Sequence, residues 1–233
     1  MYKIGVFSDV HSNKHALDAL MTTHLPECDE YVFLGDCVAA GGYPNECAEA
    51  IRSIKKLTSL QGNHDRDVVR YAKGELKTVE NEFRAHQKFY ADLMTAENIG
   101  WLDSLAPSYT IEKEGVKVCF LHYKREGEEW ASPDNPPAVL KDIDADVVVY
   151  GHTHVPSDVE KDGKRFINFG TVGAPHSDKG IARVGIVTLD EGHVNATTYE
   201  IPYDIEDAKR AFAELNPPRL QLSLELFYGE KKH

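Results

Sequence analysis

Five short apolar runs in this chain each end in side chains able to ligate a metal, and that repeated placement limits the fold more than any other feature. Ile4 to Phe7 leads to Asp9 and His11, and Val32 to Leu34 leads to Asp36. The run ending at Gln61 leads to Asn63 and His64, Val116 to Leu121 leads to His122, and Val147 to Tyr150 leads to His152 and His154. Runs this short, bounded by glycine and polar residues, read as strands. In open α/β sheets, ligands gather in the crevice beyond the carboxyl ends of the strands. Five such exits at one edge would assemble a single site from distant parts of the sequence. Asp9, Asp36 or Asn63 alone reads as a turn former, and His152 with His154 alone fits a solvent-facing hairpin. The five together go beyond turn chemistry.

Between these runs the pattern predicts helices after Asn13 through Leu20 and from Asn45 through Lys55. Asp67 to Ser104 reads as helices broken near Gly74 and near Asn98-Ile99-Gly100. Hairpins follow: Tyr109–Glu112 with Val116–Leu121, Val155–Glu160 with Arg165–Asn168, and Ile181–Leu189 with Val194–Ile201. The polar stretch Lys124 to Pro137 reads as a loop, and Asp204 opens a last helix through Leu215. Strands alternate with helices first and hairpins dominate later. The expected fold is therefore α/β, with a two-sheet mixed β-sandwich core flanked by helices, parallel strands first and antiparallel strands later. The strand count does not suit a closed (β/α)₈ barrel. One domain is expected over residues 1–215, with a helical insertion at about 66–105 and a C-terminal tail at 216–233 that is either docked or loose.

Composition narrows the function. The 233 residues hold 26 Lys and Arg against 38 Asp and Glu, a formal net charge of −12. Without a basic patch, this balance argues against nucleic acid as a partner. A small phosphate substrate remains compatible with it, because bound cations reverse the sign locally. No apolar run approaches a membrane span, and Lys3 and Asp9 bracket an N-terminus unlike a signal peptide. Cys28, Cys37, Cys47 and Cys119 show neither zinc-finger spacing nor disulfide density, so a reduced, cytoplasmic setting is expected. A homodimer is left open.

Carboxylate, imidazole and amide oxygen together suit divalent Mn, Fe, Zn or Ni, and the donors suffice for two ions. Cys37 follows Asp36 directly, so it points to the opposite face of an extended segment and is not counted among the donors.

In order, Asp9-Val10-His11, Gly35-Asp36, Gly62-Asn63-His64-Asp65, a strand-ending His122 and Gly151-His152-Thr153-His154 resemble the calcineurin-like metallophosphoesterases. The resemblance runs from Met1 to about Tyr199. The stretch from Gly35 to Glu46 is similar to the compact bacterial and archaeal phosphodiesterase branch, near the atypical diadenosine-polyphosphate and phosphodiester hydrolases. The αββα fold of that superfamily matches the expectation above.

The resemblance implies that Asp9, His11 and His154 hold one metal, that Asn63, His122 and His152 hold the other, and that Asp36 bridges them. It implies a water or hydroxide between the ions as nucleophile. His64 would sit outside the metal shell, as phosphoryl stabiliser or general acid. Phosphoprotein phosphatases of the superfamily carry Gly-Asp-x-x-Asp-Arg-Gly, and this chain has Ala39, Ala40 and Gly41 at the last three positions. It therefore lacks the Asp that would orient the imidazole and the Arg that would grip phosphate. That Arg supplies about 1.5–3 kcal/mol per charged hydrogen bond. Its absence favours a phosphodiester or nucleotide polyphosphate over a phosphomonoester or phosphoprotein. A catalytically silent module on the same fold is the alternative of another class, and the intact donor set argues against it. His86, Lys124, Arg125 and His176 are further candidates for substrate contact. Asp65 is either a helix cap or a partner of His64.

Overall fold

The computed structural model describes residues 1–126, 129–130 and 135–229, with 125, 126, 129 and 130 described by backbone alone. Its strands are β1 (Tyr2–Phe7), β2 (Glu30–Phe33), β3 (Leu57–Ser59), β4 (Ser108–Lys113), β5 (Val116–Leu121), β6 (Arg125–Glu126), β7 (Glu129–Trp130), β8 (Val147–Tyr150), β9 (Ser157–Lys161), β10 (Lys164–Asn168), β11 (Ile181–Asp190) and β12 (His193–Pro202). Its helices are α1 (Lys14–Thr22), α2 (Pro44–Ser53), α3 (Asn63–Ala72), α4 (Glu82–Leu93), α5 (Ala96–Ser104), α6 (Pro136–Val139), α7 (Ile205–Leu215) and α8 (Leu220–Tyr228).

Two five-stranded sheets result, ordered β12-β11-β1-β2-β3 and β4-β5-β8-β10-β9. Strand alternation decides what each face meets. Val147 and Val149 point into the sandwich with Ile4, Val6, Val32, Val118, Phe120 and Ile167. Val148 and Tyr150 point out, to Phe166 and Leu140. With both faces covered, the β8 run is apolar throughout. Phe7 and Phe33 meet Leu17, Ile51, Val68, Tyr90 and Leu102 on the outer face of the first sheet, beneath the first five helices. The fold is α/β, a two-sheet mixed sandwich flanked by helices.

Several expectations need correcting. β1, β2 and β3 run parallel, as anticipated. However, β5, β8 and β10 are parallel too, with β4 and β9 as antiparallel edges. Turn signals reveal each hairpin but not the neighbour on a strand's other side. α3 begins at Asn63 rather than Asp67, so Asn63 and His64 occupy its first turn. α5 runs unbroken through Gly100. The break falls at Met94-Thr95, where the Thr95 hydroxyl accepts from Asn98 N–H and restarts the helix. The stretch expected as a loop holds the β6–β7 ribbon and α6; residues 127, 128 and 131–134 lie outside the described part. The C-terminal segment forms α8, whose Leu224 and Tyr228 pack on Ala208 and Phe212 of α7. Residues 230–233, including Lys231, Lys232 and His233, are also outside the described residues. No helix among the described residues is long and apolar enough to cross a membrane.

Candidate metal centre

The donor-bearing turns are built against backbone preference. Asp9, His11, Asp36, His152 and His154 all adopt left-handed backbone, with φ of 56°, 50°, 58°, 68° and 59°. Each costs roughly 1 kcal/mol or more for a non-glycine residue, and such strain persists only where surrounding contacts fix it. Here the two acidic loops are laced together. Asp9 N–H donates to Gly35 O (2.9 Å), His11 N–H to Asp36 O (3.0 Å) and Ser12 N–H to Cys37 O (2.8 Å). Thr171 Oγ1 (2.8 Å) and Gly173 N–H (2.9 Å) both donate to Asp9 O, and Asn168 Nδ2 donates to Gly151 O (2.9 Å).

Asp65 is the fastener of the Asp36 loop. Its buried carboxylate accepts backbone N–H groups from Asp36 (2.8 Å), Cys37 (2.9 Å), Val38 (3.3 Å) and Gly62 (3.0 Å). Burial and the adjacent Asp36 charge raise its pKa, and the backbone donors oppose them. It therefore caps α3 and sets the Asp36 turn rather than partnering His64. Gly62 leaves no room beside that turn: a Cβ there would lie 2.1 Å from Asp36 Oδ1 and 2.3 Å from Asp36 N. Gly62→Ala is therefore expected to displace the Asp36 carboxylate, lowering bound metal and costing about 1–3 kcal/mol of stability. Elemental analysis and thermal unfolding check this, and full metal content in the variant would contradict the packing.

All seven candidate donors converge. Asp9, His11 and His154 form one group and Asp36, His122 and His152 another, each with donor atoms within 4.8 Å of one another. His154 Nε2 lies 3.2 Å and His11 Nε2 3.7 Å from Asp9 Oδ1. Asp36 Oδ2 lies 3.2 Å from His122 Nε2 and 3.8 Å from His11 Nε2, between the groups. Asn63 Oδ1 completes the second group, 2.9 Å from His122 Nε2 and 2.8 Å from His152 Nδ1. Turned round, the Asn63 amide would donate from its nitrogen to both imidazoles and to Asp36. With its oxygen inward, three lone-pair donors face one point. His11 Nδ1 donates to Val38 O (3.2 Å) and His154 Nδ1 to Ala174 O (2.8 Å), which leaves both Nε2 atoms turned inward.

These residues fit divalent cations. Asp9 Oδ1 is buried and receives no hydrogen bond among the described residues. The Nε2 atoms of His11 and His154 face each other at 3.0 Å, where only one can hold a proton. Burial alone would raise the pKa of both carboxyls. The imidazoles of His154 and His122 near Asp9, and above all of His122 near Asp36, instead hold them below the usual carboxylate range. Burial likewise would lower His122, yet Asp36 and Asp9 lift it to about 9. Two buried carboxylates demand positive charge beside them, which a divalent cation supplies.

His64 stands at the edge of the cluster, its ring 5.0 Å from His11 and 5.6 Å from Phe83. Burial pushes its pKa down to about 3, so the ring is neutral. Its Nδ1 lies 2.6 Å from Nε2 of the buried Gln87 on α4. Gln87 thus holds the ring, a place for which the sequence offered only Asp65. Only its place on the buried face of an amphipathic helix could have flagged it.

The weaker candidates divide. His86 is 3% exposed and faces backbone at both nitrogens: Nε2 accepts from Ala40 N–H (3.3 Å) and Nδ1 donates to Pro218 O (2.5 Å). Neither nitrogen is left for a substrate, and burial lowers its pKa to about 4. His86 is thus a packing link and not the phosphate contact expected. Lys124 lies 4.0 Å from Asp142 and lines a groove on the outer face of the second sheet with Pro107, Leu121 and Val139. The side chain of Arg125 is outside the described residues. His176 is exposed and stacks on His154 at 5.1 Å.

Residues 2–192 match the family model of the calcineurin-like phosphoesterase superfamily domain, and the chain belongs to that superfamily. It is 30% identical over 253 residues to the uncharacterized protein MJ0912 of Methanocaldococcus jannaschii, covering 97% of this chain and 98% of that one. A metallophosphoesterase from Sphaerobacter thermophilus superimposes with a TM-score of 0.74 at 25% identity, over 96% of this chain and 98% of its own. The hypothetical protein PH1004 of Pyrococcus horikoshii shares the fold over the full length of both chains, with a TM-score of 0.79 at 18% identity. Family and clustered donors together support a metal-dependent phosphoesterase.

Proposed function

We propose that this chain is a dinuclear metal-dependent phosphoesterase that hydrolyses phosphodiester or nucleotide polyphosphate bonds. The observation that carries the reading is the convergence of two donor groups on a shared Asp36, with a neutral His64 at their edge. Asp9, His11 and His154 would hold one cation, Asn63, His122 and His152 the other, with Asp36 between them. When bound, two such ions lower the pKa of a shared water and neutralise phosphoryl oxygens. The chain's own part is orientation and proton handling. Backbone acceptors at Val38 and Ala174 fix two imidazole tautomers. The Gln87 donor assigns the His64 proton to Nε2, from which the neutral ring can donate a hydrogen bond to the phosphoryl or leaving oxygen. The four cysteines are free and buried, which supports a reducing location.

The Ala39-Ala40 turn, which presents no cationic side chain, supports this substrate class. Ala40 is 5% exposed, covered by the C-terminal segment. A monoester dianion needs more cationic contact than a diester monoanion. The manganese-loaded chain is therefore expected to show about tenfold or greater kcat/KM on an aryl phosphodiester, or a dinucleoside polyphosphate, than on the matching aryl monoester. A preference for the monoester would overturn this substrate assignment.

A further inference from the structure

The C-terminal segment is fastened to the turn that lacks an arginine. Ala40 O accepts from Tyr228 OH (2.9 Å), Ala40 N–H donates to His86, and His86 Nδ1 donates to Pro218 O (2.5 Å). Both ends of the segment from Pro218 to Tyr228 therefore hang on one backbone position. Between them, Phe227 lies over the donor cluster, its ring 6.4 Å from His11, 6.0 Å from His154 and 5.4 Å from His176. Arg219 follows Pro218. Its guanidinium carbon sits 5.4 Å from the centroid of Phe83, the ring that contacts His64.

Arg219 is half-buried, and its guanidinium makes no hydrogen bond or ion pair among the described residues. Arg84 lies 5.7 Å over the same ring but is bound to Asp67 at 2.6 Å. Arg52, Arg165 and Arg183 likewise each have a carboxylate. In a chain with 38 acidic and 26 basic side chains, an arginine left without one beside an anion-binding centre is poised for an external anion. Its position says which anion. Arg219 and His64 both contact the Phe83 ring, so the guanidinium lies one ring's contact away from the imidazole at the edge of the donor cluster.

We propose that Arg219 binds the phosphate next to the scissile one, on the leaving-group side of His64, so that the favoured substrate carries at least two linked phosphates. The inference rests on the phosphoesterase reading above and selects nucleotide polyphosphates over simple diesters within it.

Calorimetry of the manganese-loaded chain with ADP and AMP tests it, alongside hydrolysis of a dinucleoside polyphosphate and an aryl phosphodiester. Wild type is expected to bind ADP about tenfold or more tighter than AMP, as one bidentate charged contact would give. Arg219→Ala should close most of that gap with metal content retained, and Arg219→Lys should restore part of it. In Arg219→Ala the loss on the dinucleoside polyphosphate, mostly in KM, should exceed the loss on the aryl diester about tenfold. Leu222→Ala, on the exposed face of α8, should leave both unchanged. An undiminished gap in Arg219→Ala, or equal losses for both nucleotides together with metal loss, would overturn the inference. Wild type that cleaves the aryl diester without preferring ADP overturns the inference alone. Wild type that neither binds these nucleotides nor cleaves either substrate overturns the phosphoesterase reading and the inference with it.

Discussion

Asp36→Asn is expected to strip both metal ions at once and abolish hydrolysis. Asp36 is 1% exposed and lies between the two donor groups, 3.2 Å from His122 Nε2 and 3.8 Å from His11 Nε2. An amide keeps the shape and the oxygen that accepts His64 N–H at 2.8 Å, so the fold should persist. It removes the one negative charge both groups share. His11→Ala, by contrast, should weaken mainly the ion held with Asp9 and His154. Elemental analysis after manganese reloading distinguishes the two variants. Near-normal metal in Asp36→Asn would mean that the groups are independent.

His64→Ala is expected to cut turnover about 10²–10⁴-fold, the usual contribution of a positioned proton donor, with metal near the wild-type level. The expectation depends on where the ring sits. His64 lies at the cluster's edge with Nδ1 against Gln87, outside the two groups of three. A third set, His11, Asp36 and His64, could also close around an ion. Metal content of the variant decides between the roles: loss of metal would make His64 a ligand, and retained metal with collapsed turnover would make it the proton donor.

The donors were legible because strand ends and chelating side chains coincide in the sequence at five separate places. Their conformation was not. Left-handed backbone at Asp9, His11, Asp36, His152 and His154 arises from lacing between loops far apart in the chain. Asp65 reads as either a helix cap or a partner of His64; it is the cap, and its reach to the Asp36 loop depends on a contact across 29 positions. Gln87, Phe227 and Arg219 gave no signal of their own. They belong to helical segments that reach the centre only after α4 and α8 pack, and an amphipathic helix does not announce which buried residue will face a site. The parallel order of β5, β8 and β10 was hidden for a related reason: hairpin turns fix one neighbour of a strand, and the other follows from long-range packing.

The central claim is that these seven side chains hold two catalytic cations. It is tested most directly on chain purified without chelator, titrated with Mn²⁺ and assayed at each step for bound metal and aryl phosphodiester hydrolysis. About two equivalents per chain are expected, with hydrolysis rising as the second binds. Binding of less than about one equivalent, or hydrolysis indifferent to added metal, would contradict the account.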